Sequence, residues 1–151
     1  MIHKGFIDIN QSLDKVTALF ADPNNLKEYQ DGFVRKVHVS GNKGQTGAVS
    51  KMYYKHGKNE MELTETITKN DLPHTFEASF YHIHMDNTMK CNFTALSDNE
   101  TRYEYEYEYT RINWIMPRLI AILFPSMYKK PAEKWLRQFK AFAEKTIILK
   151  S

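Results

Sequence analysis

The sequence predicts an α+β domain, with one antiparallel sheet of seven strands, two short helices after the first strand, and a long C-terminal helix. Three observations predict it. Residues 103–109 read Tyr-Glu-Tyr-Glu-Tyr-Glu-Tyr, a strict period of two. From residue 33 onward, apolar positions alternate in short runs separated by hairpin-sized turns. From residue 131 the period becomes helical, with Ala132, Trp135, Leu136, Phe139, Phe142, Ala143 and Thr146 at i, i+3, i+4, i+7 spacing. A sheet with one apolar face needs a cover, and this last helix is the only element long enough to supply one.

The elements follow in order. Residues 2–9 read as a first strand. Ser12 is suited to cap a helix that carries Leu13, Val16, Leu19 and Phe20 on one side. Asp22-Pro23 ends that helix and starts a second short one, whose buried side is Leu26 and Tyr29. Phe33 to Ser40 reads as a strand, and Gly41, Gly44 and Gly47 punctuate the turn after it. The next strand, Ala48 to Lys55, places Ala48, Ser50, Met52 and Tyr54 on one face. A turn at His56-Gly57-Lys58-Asn59 leads to a strand with Met61, Leu63, Glu65 and Ile67 in phase. After a turn at Asp71-Leu72-Pro73, Phe76, Ala78, Phe80 and His82 alternate. Asp86-Asn87 is expected to turn the chain again, followed by Met89, Cys91, Phe93 and Ala95. Ser97-Asp98-Asn99 then leads into the tyrosine strand. Ile112 to Phe124 is almost wholly apolar, and Pro117 and Pro125 each suggest a helix start, kink or break. Pro131 suits the first position of the last helix.

With 151 residues, 42% hydrophobic and 26% charged, the chain is expected to form a single domain over residues 1–151. One cysteine, Cys91, permits no internal disulfide and fits a reducing, cytoplasmic setting. The N-terminus lacks the apolar core of a signal peptide, and no stretch of apolar residues is long enough to span a bilayer. The net charge of +3 is unevenly distributed. Residues 1–110 hold 12 Lys/Arg and 16 Asp/Glu, whereas residues 111–151 hold 9 Lys/Arg and 2 Asp/Glu. The basic segment reads as a solvated helix face or, alternatively, as a surface drawn to anionic membrane or an acidic partner through Lys129, Lys130 and Lys134. No nucleic-acid recognition motif accompanies the charge, so no nucleic-acid partner is expected.

Candidate chemistry is concentrated on the inner face. A strand puts Tyr103, Tyr105, Tyr107 and Tyr109 on one side and Glu104, Glu106 and Glu108 on the other. Three carboxylates in register must face water, so the tyrosines look inward. They form either a polar-tipped core or the wall of a ligand cavity. Glu65 shares its face with Met61, Leu63 and Ile67. It is either an inward carboxylate of functional interest, or a residue turned outward by a bulge or wetted at a cavity mouth. His82, His84 and Asp86 form a His-x-His-x-Asp run without the further ligands a metal site requires, so no metal is expected. Cys91 reads as a small buried residue. There is no catalytic Cys/His or Ser/His/Asp motif and no phosphate-binding glycine loop, and no cofactor is expected.

The helical segment SLDKVTALFADPNNLKEY, the glycine-spaced turn GNKGQTG and the amphipathic segment AEKWLRQFKAFAEK, in this order around a meander, resemble the START/Bet v1-like (SRPBCC) superfamily. That superfamily includes polyketide cyclases and lipid-transfer domains. The resemblance covers essentially the whole chain and implies a helix-grip fold. In it, a curved seven-stranded antiparallel sheet wraps around the C-terminal helix, with a cavity between them. It further implies binding of a hydrophobic or amphipathic small molecule such as a lipid, quinone or aromatic polyketide. The expected lining is Met52, Tyr54, Leu63, Glu65, Phe80, His82, Phe93, Tyr103, Tyr105, Tyr107 and Tyr109 from the sheet, and Trp135 and Phe139 from the helix. Ile112 to Phe124 is a candidate gate. The alternative is a cyclase or dehydratase in which Glu65 or His82 serves as acid or base and a tyrosine hydroxyl stabilises an enolate.

Overall fold

The computed structural model describes residues 2–112 and 126–150. Strand β1 (Ile2–Ile9) is followed by helix α1 (Leu13–Ala21), a single 3-10 turn (Pro23–Asn25) and helix α2 (Leu26–Tyr29). Six strands come next: β2 (Phe33–Ser40), β3 (Val49–His56), β4 (Asn59–Asp71), β5 (Thr75–His82), β6 (Met85–Ser97) and β7 (Glu100–Ile112). Helix α3 (Ser126–Lys150) closes the order. The strands form one curved antiparallel sheet in the order β1-β7-β6-β5-β4-β3-β2. The meander is thus continuous from β2 to β7, and β1 returns to pair with the tyrosine strand.

Local chemistry explains the junctions. The Ser12 side chain accepts a hydrogen bond from the Lys15 backbone N–H at 3.4 Å, capping α1. The Asp22 side chain accepts from the Asn24 N–H at 2.9 Å, so the same Asp-Pro pair that stops α1 starts the 3-10 turn. The turn between β2 and β3 needs its glycines. Gly41 has a φ of +76°, and a Cβ there would lie 2.9 Å from the Ala48 Cα.

Two expected boundaries move. The hairpin between β5 and β6 turns at Ile83-His84, with His82 opposite Met85 and Tyr81 opposite Asp86, so Asp86 and Asn87 lie inside β6. Asp86 is held there by Arg111, whose Nε and Nη2 donate to its two oxygens at 2.8 and 3.0 Å. This paired carboxylate behaves as a strand residue, although its residue type favours turns. Helix α3 begins at Ser126, five positions before Pro131, so Pro131 lies within the helix rather than at its first position. The segment Ile112 to Phe124, named above as a gate, lies outside the described residues beyond Ile112. Among the described residues, no helix is long and apolar enough to cross a membrane.

Beneath α3 the core joins α1, α2, β1, β6 and β7, and buried residues of β3, β4 and β5 continue it across the sheet. Phe139 of α3 is 2% exposed and lies edge-on to Phe20, Tyr29 and Tyr103, with ring centroids 4.9 to 6.3 Å apart. Ile9, Val16, Cys91, Phe93 and Ala143 complete this cluster. Polar clamps fix the helix along β1: Lys140 Nζ donates to the Asp8 carbonyl at 2.6 Å, and Glu144 accepts from the Asn10 N–H at 2.9 Å. The tyrosine strand has the expected phase, with Tyr103 and Tyr105 buried and Glu104 exposed.

Tyr105 lies flat over its cross-strand neighbour Gly5, where a Cβ would fall 2.6 Å from the ring. Tyr105 is 4% exposed, so the ring has little room to yield. Gly5→Ala is therefore expected to destabilise the fold by about 1–3 kcal/mol, the usual range for overpacking. Thermal melts of Gly5→Ala, Tyr105→Ala and the double variant check it. The losses should be far from additive, and additive losses would show that the ring contact is not the cause.

Candidate functional site

A cavity of about 870 Å³ lies between the inner face of the sheet, α2 and α3. This is within the roughly 300–1,000 Å³ typical of small-molecule sites. Its position follows from how the sheet is covered. Helix α3 packs against β1 and α2 and stands off from most of the inner faces of β2 to β5, with Trp135 reaching across to stack on Tyr54. Met52 and Tyr54 of β3, Leu63, Glu65 and Ile67 of β4, and Phe76 and Phe80 of β5 line this space. Met89 of β6, Tyr103 and Tyr107 of β7, and Trp135, Leu136 and Phe139 of α3 complete its apolar wall. The exposed lining residues Pro23, Asn24, Lys27, Lys43, Gly44 and Gln45 mark where it meets solvent, between α2 and the β2–β3 turn.

Of the residues named from the sequence, Met52, Tyr54, Leu63, Glu65, Phe80, Tyr103, Tyr107, Trp135 and Phe139 line the cavity. His82, Phe93, Tyr105 and Tyr109 do not. Phe93 and Tyr105 are core residues, 3% and 4% exposed. Tyr109 sits edge-on to His3, ring centroids 6.0 Å apart, at the β1 side of the sheet. His82 ends β5, with its ring 5.5 Å from that of His84. No group of three or more His, Cys, Asp or Glu suited to a metal ion is found among the described residues.

Glu65 lies on the inner face, with a regular register through Ser50 and Phe80 on either side. It is 5% exposed, and one carboxylate oxygen lies 2.9 Å from Lys36 Nζ. An isolated carboxylate is strongly disfavoured in such surroundings, and the ammonium compensates it. Two tyrosines surround the pair at longer range. The Tyr29 and Tyr54 phenols are pushed up by burial, and the Glu65 charge adds to the rise in both. Tyr54 donates to Gln30 Oε1 at 2.7 Å and stacks on Trp135, ring centroids 5.9 Å apart.

Burial raises the phenols of Tyr103 and Tyr107 well above the usual range. All four of these phenols therefore stay protonated and act as hydrogen-bond donors, not bases. Tyr103 is engaged already, its hydroxyl 3.3 Å from Cys91 Sγ. That leaves Tyr107, which touches the cavity, as the tyrosine of β7 best placed to offer a hydroxyl. The acid, base and hydroxyl envisaged for a cyclase are not gathered at one point, since Glu65 is bound to Lys36 and His82 lies off the cavity wall.

Lys36 was missed from sequence because β2 is bulged. The register slips between Phe33 and Arg35, so Phe33 and Lys36, three apart, both turn inward while Arg35 turns out to Glu60. The available signal was the pattern Lys36-Val37-His38-Val39, whose alternation allows either set to face inward. In the structure Val37 and Val39 are 45% and 53% exposed, while Lys36 and His38 line the cavity.

No protein-family model matches the sequence, and no curated protein matches it. Solved structures do. A conserved protein from Geobacillus kaustophilus superposes with a TM-score of 0.78 at 12% identity, over 97% of each chain. The Zhui aromatase/cyclase from Streptomyces sp. R1128 gives 0.80 at 9% identity, over 97% of this chain and 95% of that one. Norcoclaurine synthase from Thalictrum flavum, solved with dopamine and hydroxybenzaldehyde, gives 0.68 at 13% identity, over 94% and 85%. The chain shares the fold of these structures, a helix-grip fold in which a curved antiparallel sheet holds a C-terminal helix.

Two outcomes follow from the site. Lys36→Met leaves the Glu65 carboxylate uncompensated and is expected to destabilise the protein by about 2–4 kcal/mol, below the loss for a fully buried pair because Lys36 is partly exposed. Urea unfolding should show Lys36→Met/Glu65→Gln to be more stable than Lys36→Met alone. Burial pushes the Cys91 thiol up to about 12. The neutral thiol is thereby favoured in the fold. This contribution is fully present below the unfolded thiol pKa of about 8.5 and fades as pH rises toward the folded value. At pH 8, then, a thiol reagent should label Cys91 only at the rate of unfolding, as labelling followed by mass spectrometry would show.

Proposed function

We infer that this protein binds a hydrophobic or amphipathic small molecule in the cavity between sheet and α3. The observation that carries the reading is the cavity itself: about 870 Å³, walled mainly by aromatic and aliphatic side chains, with a few polar groups set into it. Such a lining removes the apolar body of a ligand from water at about 25 cal/mol per Å², while the polar groups orient it. A lipid, a quinone or an aromatic polyketide-like compound fits this description. Two of the structural neighbours, named as an aromatase/cyclase and a norcoclaurine synthase, support a small-molecule role for a cavity of this design. Binding rather than turnover is favoured because the Glu65 carboxylate is committed to the Lys36 ammonium at 2.9 Å.

Lys134 does not favour a membrane-facing role for the helix, since its ammonium is bound to Asp31 at 2.7 Å. The side chains of Lys129 and Lys130 lie outside the described residues. The single buried Cys91 suits a reducing, cytoplasmic compartment.

Native mass spectrometry after gentle purification is expected to show the protein carrying a small organic molecule. Leu63→Trp, which fills cavity space, should keep the circular-dichroism spectrum and lower ligand affinity at least about tenfold, roughly 1.4 kcal/mol. A protein that emerges ligand-free, and whose affinity for apolar probes ignores Leu63→Trp, would refute the reading.

A further inference from the structure

We propose that the bound molecule carries an anionic head group, a carboxylate or its equivalent, seated at the solvent end of the cavity among Lys27, Lys36 and Lys43. The proposal rests on the small-molecule reading above and adds the chemistry of the ligand's polar end.

Charge distribution is the first support. Residues 1–110 are acidic on balance, with 12 Lys/Arg and 16 Asp/Glu. Four of those basic residues, Lys27, Arg35, Lys36 and Lys43, border the cavity, Arg35 with its guanidinium turned out to Glu60, and among the described residues Glu65 is the only acidic one that does. Among the described residues, those of α3 that line the cavity are uncharged. A sheet whose carboxylates are turned outward has thus collected positive charge at one end of its cavity. Low-dielectric walls focus such a field onto whatever enters.

The second support is β2. Its alternation is inverted, with Val37 and Val39 toward solvent and Lys36 and His38 toward the cavity. Slipping the register by one residue would bury both valines and release both polar side chains. The bulge between Phe33 and Arg35 instead delivers Lys36 to the inner face. Local rules broken in this way are characteristic of functional sites.

The commitments of each cation narrow the assignment. Arg35 is exposed and bound to Glu60 at 3.0 Å. Lys36 is paired with Glu65 at 2.9 Å, and its ammonium carries three N–H donors. Lys27 and Lys43 make no ion pair among the described residues. Glu65 therefore holds the Lys36 ammonium in place and balances one charge, while the rim retains the charge of two lysines. An anion gains from all three ammonium groups. A cation meets three like charges and a carboxylate already occupied, and a neutral head group leaves the rim field unused.

Isothermal titration calorimetry with probes of equal chain length, dodecanoate, dodecanol and dodecylammonium, tests this at low ionic strength. Dodecanoate is expected to bind about five- to tenfold more tightly than dodecanol, with dodecylammonium weakest. Added salt should narrow the gap, because Lys27 and Lys43 are exposed. Lys27→Gln/Lys43→Gln, which alters only exposed side chains, should narrow the gap between dodecanoate and dodecanol. Equal binding of acid and alcohol, a preference for the ammonium, or an acid preference untouched by the double variant would each overturn the anionic head group and leave the cavity reading standing. Failure of all three probes, together with no co-purified molecule in native mass spectrometry, would remove both.

Discussion

The structure depends on a mismatch of widths. Seven strands at about 4.8 Å spacing make an inner face some 29 Å across, whereas a helix with its side chains is about 10–12 Å wide. One helix cannot cover that face. Helix α3 settles over the β1 and β7 side, where Phe139 meets Phe20, Tyr29 and Tyr103 and where Lys140 and Glu144 tie it to β1. Curvature and α2 enclose what remains. The cavity is thus the space between the helix and the part of the apolar face on which it does not close-pack, with Trp135 and Phe139 on its helix side.

This division gives the two ends of the inner face different chemistry. Under the helix, side chains are close-packed, and the Tyr103 hydroxyl lies against Cys91 Sγ. Beyond the helix, the wall keeps polar groups that packing does not require: Lys36, His38, Ser50, Glu65 and Tyr107. An ion pair of the Lys36–Glu65 kind adds little to stability compared with apolar residues of the same size. Its position within an otherwise largely apolar enclosure is best understood through what the enclosure holds.

The tyrosine strand shows how far alternation can be read. Its period of two places all four rings on the inner face, and no sequence rule separates them further. The structure divides them by their neighbours across the sheet. Tyr105 lies over Gly5, Tyr103 faces Phe93, Tyr107 meets cavity space opposite Met89, and Tyr109 reaches the His3 ring. Glu65 was legible because a carboxylate in phase with Met61, Leu63 and Ile67 breaks a pattern. Its partner was not, because Lys36 reaches it through a bulge, and a bulge changes the phase of a strand without changing its composition.

The sequence by itself determined the elements, their order and the inward face of most strands. These depend on short-range periodicity, turn chemistry and caps such as Ser12 and Asp22, all written in neighbouring residues. It also determined that the sheet would be antiparallel and covered by the last helix, since a meander joined by tight turns allows no other pairing and only one element is long enough. The tertiary structure alone decided where the helix rests, and therefore which inner residues are core and which are cavity wall. It decided too that Asp86 belongs to Arg111 and Glu65 to Lys36. Each of these outcomes joins groups far apart in the chain. Side chains brought together across strands leave no periodic trace, and the width of a gap depends on every strand that borders it.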